Sequence, residues 1–185
     1  MEPIVNRVAE SDIALFDLSA VWDGRPIDLF DIEPFLVQGL ILREVPFREA
    51  LKQYDWEQHR DHHVAVFCSA DAIVPTWAYM LIASKLEGIA TSVAFGDEAA
   101  VRRDYFARAL DQVDWSVYAA KPVVIKGCGN ALVPQNAYLT ATQKLQGVAG
   151  KLMFGEPCSS VPIWRRPKPK APEARAAKPV VLPGR

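Results

Sequence analysis

Three cysteines and one aspartate are the residues of this sequence whose types suit metal or sulfur chemistry. Cys68, Cys128 and Cys158 each come at or just after the end of a short apolar run, and Asp71 follows the first of them closely. Three thiolates and one carboxylate suit zinc or an iron–sulfur species, because both favour sulfur donors. The sequence therefore predicts a metal site formed by Cys68, Asp71, Cys128 and Cys158.

Other interpretations of the same cysteines stay open, because the spacing contains no paired C-x-x-C motif. Cys128 lies between two glycines, before a predicted helix, where a thiolate is stabilised, so one alternative is a small-molecule enzyme with Cys128 as the nucleophile. The other alternative is a non-catalytic interaction module whose cysteines are small buried side chains. His59, His62 and His63 precede a strand that ends near Cys68, so we expect them in a solvated loop at the opposite end of that strand.

The elements that position these residues are predicted by an internal repeat. With an offset of 59 residues, Arg43–Asp97 aligns with Arg102–Glu156 without a gap, and 19 of the 55 aligned pairs are identical. The phrase AIVPTWAYMLIASKL in the first copy becomes ALVPQNAYLTATQKL in the second. Two copies indicate a duplicated half-domain, since a solenoid needs three or more repeats.

Each copy has the pattern of an αβαβ unit. Apolar residues at helical spacing precede the short β-branched runs HVAVFC and PVVIKGC. Asp71 and Asn130 are predicted to cap the following helices, which Gly88 and Gly147 would end. Further strands are predicted in IATSVAFG and VAGKLMFG, and IALFDL with a short helix capped by Asp31 would add a strand and a helix at the N-terminus.

The predicted fold is α/β, with one mainly parallel sheet built from the two tandem αβαβ repeats and covered by helices on its faces. In a parallel sheet every strand ends at the same edge, and ligand sites gather there. Cys68, Cys128 and Cys158 are therefore expected at one carboxyl edge.

Composition limits the classes of protein to consider. The chain has 185 residues and a formal net charge of −1, which fits a single domain and gives no argument for a nucleic acid or a membrane as partner. We predict an α/β domain over residues 1–164 and a disordered, basic, Pro/Ala-rich tail over residues 165–185. Three cysteines and an N-terminus without a signal pattern predict a cytoplasmic protein.

The phrases CSADAIVPTWAYML and GEPCSSVP resemble a bacterial family of domains of unknown function, number 2480, and the resemblance covers Ile4 to Arg165. Members of that family are often encoded beside components of the SUF iron–sulfur assembly system. The resemblance therefore implies an accessory protein of iron–sulfur cluster biogenesis, with assembly proteins as partners. No activity is established for that family, so the resemblance does not decide between an enzyme and a non-catalytic protein.

Overall fold

A computed structural model describes residues 12–127 and 132–167 of the chain. Its elements alternate along the chain, as expected for an α/β protein. The strands are β1 Ala14–Asp17, β2 Ile27–Asp31, β3 His63–Phe67, β4 Ser92–Phe95, β5 Pro122–Lys126, β6 Lys151–Phe154 and β7 Val161–Arg165. The helices are α1 Glu44–Gln53, α2 Thr76–Leu86, α3 Glu98–Asp111 and α4 Gln135–Val148, with short 3-10 helices at Leu18–Val21, Glu33–Phe35, Trp56–His59 and Trp115–Tyr118.

The strands of the described residues form two sheets. The first sheet has the order β2-β3-β4 and is parallel, and the second has the order β1-β5-β6-β7, in which β7 is antiparallel to β6 and the other pairs are parallel. The mixed α/β class is confirmed, but the expected single sheet is wrong. The two N-terminal strands cause the difference, because β2 pairs with β3 while β1 pairs with β5, so β3 and β5 lie in different sheets.

Helix α3 packs against both sheets. On one side Val101 contacts Ala65 and Ala94 of the first sheet, whose small side chains allow a close approach. On the other side Phe106 and Leu110 lie in the core of the second sheet, beneath α4. A separate core lies on the opposite face of the first sheet, beneath α1 and α2. Helix α3 thus lies between the two sheets and contributes apolar side chains to a core on each side.

The starts of α2 and α4 differ from the prediction. Helix α2 begins at Thr76 with Pro75 at the N-cap, and the exposed Asp71 lies outside it, so the predicted Asp71 cap is wrong. Helix α4 begins in the same way after Pro134, whereas Asn130 lies outside the described residues. The physical reason is proline, which disfavours helical geometry in the residue before it and so delays the helix.

The ends of these two helices also differ from each other. Gly88 follows α2 with a φ of 71°, so the predicted glycine stop is confirmed there. Gly147 instead lies inside α4, which continues to Val148.

Asp55 and Asp114 have the repeated turn-closing role that their positions suggest. Each carboxylate accepts a hydrogen bond from the backbone amide two residues later, at 3.1 Å from Glu57 and 3.0 Å from Ser116. Each therefore caps a 3-10 helix that leads into a strand.

The folded part of the chain extends slightly beyond the predicted boundary at residue 164. Arg165 ends β7, and Arg166 donates from its backbone amide to Gly150 and from its guanidinium to Ala149. The rest of the predicted tail, from residue 168, lies outside the described residues. Within the described ranges, no helix combines the length and the apolar character needed to span a bilayer.

Candidate functional site

Cys68 directly follows β3 in the first sheet. Its side chain is half-buried and packs at the border of the core beneath α2. The next residue, Ser69, donates from its backbone amide to Asp31 at 3.0 Å and has its hydroxyl within 2.6 Å of Glu33. Burial raises the pKa of Asp31, but the hydrogen bonds from Ser69 and from backbone amides outweigh it and hold this pKa below its usual value. Two carboxylates therefore fix the loop that begins at Cys68.

Cys158 lies in the turn between β6 and β7 of the second sheet, and its side chain is exposed. The turn is closed by a hydrogen bond from the Ser159 amide to the Glu156 carbonyl at 2.9 Å. The Glu156 carboxylate also pairs with the ammonium of Lys126 at 3.2 Å. Because Lys126 ends β5 and β6 is its parallel neighbour, this ion pair connects the end of β5 to the turn that follows β6.

The three cysteines were expected at the carboxyl edge of a single sheet, and this expectation is wrong because the strands form two sheets. Cys68 and Asp71 follow a strand of the first sheet, while Cys158 follows a strand of the second. Cys128 lies outside the described residues. Over residues 12–127 and 132–167, no group of three or more His, Cys, Asp or Glu side chains is arranged to hold a metal ion. The assignment of Cys68, Asp71, Cys128 and Cys158 as ligands stays a prediction.

Gly127 precedes Cys128 and has a conformation that requires glycine. Its φ is 145°, and an added Cβ would lie 2.8 Å from the hydroxyl of Tyr138 and 3.3 Å from the Cβ of Leu18. That tyrosine hydroxyl donates to the Gly127 carbonyl, which holds the chain against α4 as it leaves β5. A side chain of α4 thus fixes the position of Gly127 at the end of β5.

An apolar cleft opens beside this part of the second sheet, between α4 and strands β5 to β7. Its volume is about 510 Å³, within the range typical of small-ligand sites. The lining is mainly apolar, with Gln135, Tyr138 and Thr142 as its polar members and Ile125, Leu139, Phe154 and Ile163 as the remainder. The cleft and Cys158 are both features of the second sheet.

The environment of the three histidines differs from the solvated loop that was expected for them. His59 and His63 are buried, and only His62 is partly exposed. Nδ1 of His59 and Nδ1 of His62 lie 2.7 and 2.9 Å from the same carboxylate oxygen of Asp28. Burial raises the pKa of Asp28, but these two hydrogen bonds outweigh it and hold the pKa below its ordinary value.

His63 links an aspartate to a serine. Its Nε2 lies 3.1 Å from Asp23 and its Nδ1 lies 2.8 Å from the hydroxyl of Ser92. A carboxylate only accepts hydrogen bonds, so Nε2 donates to Asp23, and in the neutral imidazole Nδ1 accepts from Ser92. Burial raises the pKa of Asp23, and the hydrogen bond from His63 more than offsets it. Aspartate, histidine and serine follow one another as in the relay of serine hydrolases, but with the two ring nitrogens exchanged, because in that relay Nδ1 meets the aspartate and Nε2 the serine.

Burial of the ring argues against catalysis by this chain of groups. A catalytic histidine must give its proton to a leaving group, but His63 is 0% exposed and packs against the rings of Trp22 and Tyr105, whose centroids lie 4.8 and 5.2 Å from its own. The arrangement instead satisfies a buried imidazole and joins the segment before β2 to β3 and β4. His63 and Ser92 are direct partners in the register of β3 and β4, so their contact depends on strand pairing that local sequence patterns do not specify.

Comparison with known proteins identifies the family and leaves its function open. No curated protein and no solved structure is significantly similar to the chain. A family model described as a protein of unknown function (DUF2480) matches residues 2–166, which include all the described elements. The chain therefore belongs to the DUF2480 family.

Proposed function

We propose that the chain is a cytoplasmic accessory protein of iron–sulfur cluster biogenesis that carries sulfur, or a soft metal ion, on cysteine thiols of the second sheet. The observation that carries this proposal is the position of β5 and β6. They are parallel neighbours, Cys128 comes two residues after the end of β5, and Cys158 comes four residues after the end of β6. The Lys126–Glu156 ion pair, which joins the end of β5 to the turn after β6, adds to the support.

Sulfur transfer needs one accessible thiol, and Cys158 is exposed. Its thiolate attacks the outer sulfur of a donor persulfide and forms a new S–S bond, while the donor S–S bond breaks and leaves its electron pair on the donor thiolate. No oxidant or reductant is required, because the sulfane sulfur only changes its carrier. Cys128, which follows the neighbouring strand, is the residue we propose as a second acceptor.

The metal-binding form of the proposal uses Cys68, Asp71, Cys128 and Cys158 as ligands of zinc or an iron–sulfur species. It requires sulfur atoms about 4 Å apart, since zinc–sulfur bonds are about 2.3 Å long. The separation of Cys68 and Cys158 onto two sheets favours the sulfur-carrying form.

The experiment treats reduced full-length protein with a small-molecule persulfide and measures the intact mass. We expect a gain of one sulfur atom that is lost in Cys158→Ser and retained in the matched Cys68→Ser variant. A cobalt titration of the same proteins tests the metal form, because cobalt bound by thiolates gives an intense charge-transfer absorption. Absence of the added sulfur in the unsubstituted protein would contradict sulfur carriage, and absence of the cobalt band would contradict the metal form.

We also propose that the chain contains two tandem αβαβ repeats, offset by 59 residues. The element bounds support this, because β3 begins at His63 and β5 at Pro122, while β4 begins at Ser92 and β6 at Lys151. Equivalent contacts support it as well: the indole of Trp56 donates to the Leu51 carbonyl at 2.9 Å, and that of Trp115 to the Leu110 carbonyl at 3.1 Å. An experimental structure in which residues 43–97 do not superimpose on residues 102–156 would contradict the duplication.

A further inference from the structure

The edge of the first sheet formed by β4 lacks the features that protect other sheet edges. Exposed edge strands are usually blocked by charged residues or proline, because their unpaired backbone groups invite another strand. β1 contains Asp17, β2 contains Asp28 and Asp31, and β7 contains Pro162 and Arg165. β4 has the sequence SVAF and contains neither a charge nor a proline. Within the described residues, no strand pairs with its outer side.

The backbone groups that face outward from β4 can be identified. The Gly96 amide donates to the Val66 carbonyl of β3, so by alternation Ala94 also faces β3 while Val93 and Phe95 direct their N–H and C=O groups outward. The side chains beside this edge are apolar. Phe95 is 70% exposed and contacts only one ring, that of Tyr79, within the described residues, and Met80 on the adjoining helix is 68% exposed.

The second sheet shows what such an edge accepts. There the Gly155 amide donates to Ile125 of β5, which leaves Leu152 and Phe154 of β6 facing outward, and both pair with the antiparallel strand β7. Phe154 contacts Tyr138 as Phe95 contacts Tyr79, but Phe154 is only half-exposed. The corresponding edge of the first sheet therefore has the same outward groups, and no strand covers them in the part of the chain that the structure describes.

We propose that β4 pairs in antiparallel fashion with β4 of a second copy of this chain, across a two-fold axis at Ala94. In this register Val93 lies opposite Phe95 of the second copy, and both residues have outward N–H and C=O groups that bond to each other. A strand can join its own copy in a closed two-fold dimer only by antiparallel pairing. The two first sheets then form one continuous sheet, and Phe95 packs against Val93 of the second copy.

Charges at the two ends of β4 fit this partner. Thr91, just before β4, accepts a hydrogen bond from the guanidinium of Arg25, and Asp97 with Glu98 follows just after β4. Antiparallel pairing brings Thr91 of one copy opposite Asp97 of the other, so Arg25 comes close to a carboxylate at each end of the interface. A parallel arrangement would instead put like charges together.

The experiment measures the mass of the full chain in solution by size exclusion with light scattering, over a range of concentrations. We expect a dimer for the unsubstituted chain and a monomer for Phe95→Asp, which puts a charge into the apolar part of the interface. Leu139→Asp is the matched control, because Leu139 is 65% exposed on α4, next to the edge that β7 already covers. This control is expected to remain dimeric. Circular dichroism establishes that both variants are folded.

Hydrogen exchange tests the position of the interface. The amides of Val93 and Phe95 are expected to become protected as the concentration rises, while the amide of Leu29, on the outer side of β2, is not. A monomer at every concentration, or a dimer that Phe95→Asp leaves intact, overturns the proposal. A monomer whose Val93 and Phe95 amides are already protected also overturns it, and shows that a segment of the same chain covers the edge.

Discussion

Replacing Asp23 by Asn tests whether the Asp23–His63–Ser92 chain of hydrogen bonds stabilises the fold through the charge of its carboxylate. The Asn side chain keeps an oxygen that accepts from Nε2 of His63, so the variant removes the charge and retains the hydrogen bond. A hydrogen bond to a charged group stabilises a protein by about 1 kcal/mol more than a neutral one. The Asp23 side chain is 26% exposed and also faces Arg25 at 3.7 Å. We therefore expect Asp23→Asn to lower the free energy of unfolding by about 1 kcal/mol at neutral pH.

The effect depends on pH with a definite sign. The pKa of Asp23 is lower in the folded protein than in the unfolded chain, where it is near the ordinary value of 3.8. Such a group stabilises the fold fully above its unfolded pKa, and this contribution is lost as the pH falls through the folded pKa. Urea unfolding of both proteins at neutral pH and at about pH 3 measures the difference, which is expected to shrink in acid.

The matched control is Asp111→Asn, which removes an exposed carboxylate paired with Lys144. Exposed ion pairs of this kind contribute about 0 to 1 kcal/mol, so a small change is expected. An Asp23→Asn effect of the same size at both pH values would refute the reasoning, because it would show that the loss comes from packing and not from the charge.

Three further predictions follow from single contacts and are measured by urea unfolding. Trp56→Phe and Trp115→Phe should each lower the free energy of unfolding by about 1 kcal/mol beyond the small loss of ring size, because each removes one indole-to-carbonyl hydrogen bond; clearly unequal losses would contradict their equivalence. Gly127→Ala should cost about 2 kcal/mol, since its φ is 145°; an unchanged midpoint would contradict the assigned strain. Asp71→Ala should change stability by less than about 0.5 kcal/mol, because Asp71 caps no helix; a loss typical of an N-cap would contradict this.

Local sequence patterns predicted most elements of the fold. They did not predict the last strand, β7, and the reason is a proline. The apolar runs at β3 and β5 and the helical spacing in α1 and α3 were sufficient to locate these elements. β7 was not predicted because Pro162 lies within it, and proline inside a run argues against a central strand. β2 was also not predicted, because its sequence IDLFD does not alternate strictly: Leu29 is exposed, and the face that buries Phe30 also carries Asp28.

Pairing between distant segments could not be predicted in the same way. Nothing in the pattern of β1 or β2 specifies which of two similar runs each will join, yet that choice divides the strands into two sheets and separates Cys68 from Cys158. The burial of His59 and His63 has the same origin. A histidine can be buried when a carboxylate satisfies it, and Asp28 and Asp23 come from segments about 30 and 40 residues earlier in the chain.

The shared position of α3 has a consequence for how the chain unfolds. Val101 on one side and Phe106 and Leu110 on the other are fully buried in different cores, so opening either sheet exposes apolar surface of the same helix. Unfolding of one sheet therefore removes support from the other, and the two should melt in a single cooperative transition. Slow amide exchange should extend from β3 through α3 to β5 as one unit, and a fragment that ends before residue 98 should not hold the first sheet on its own.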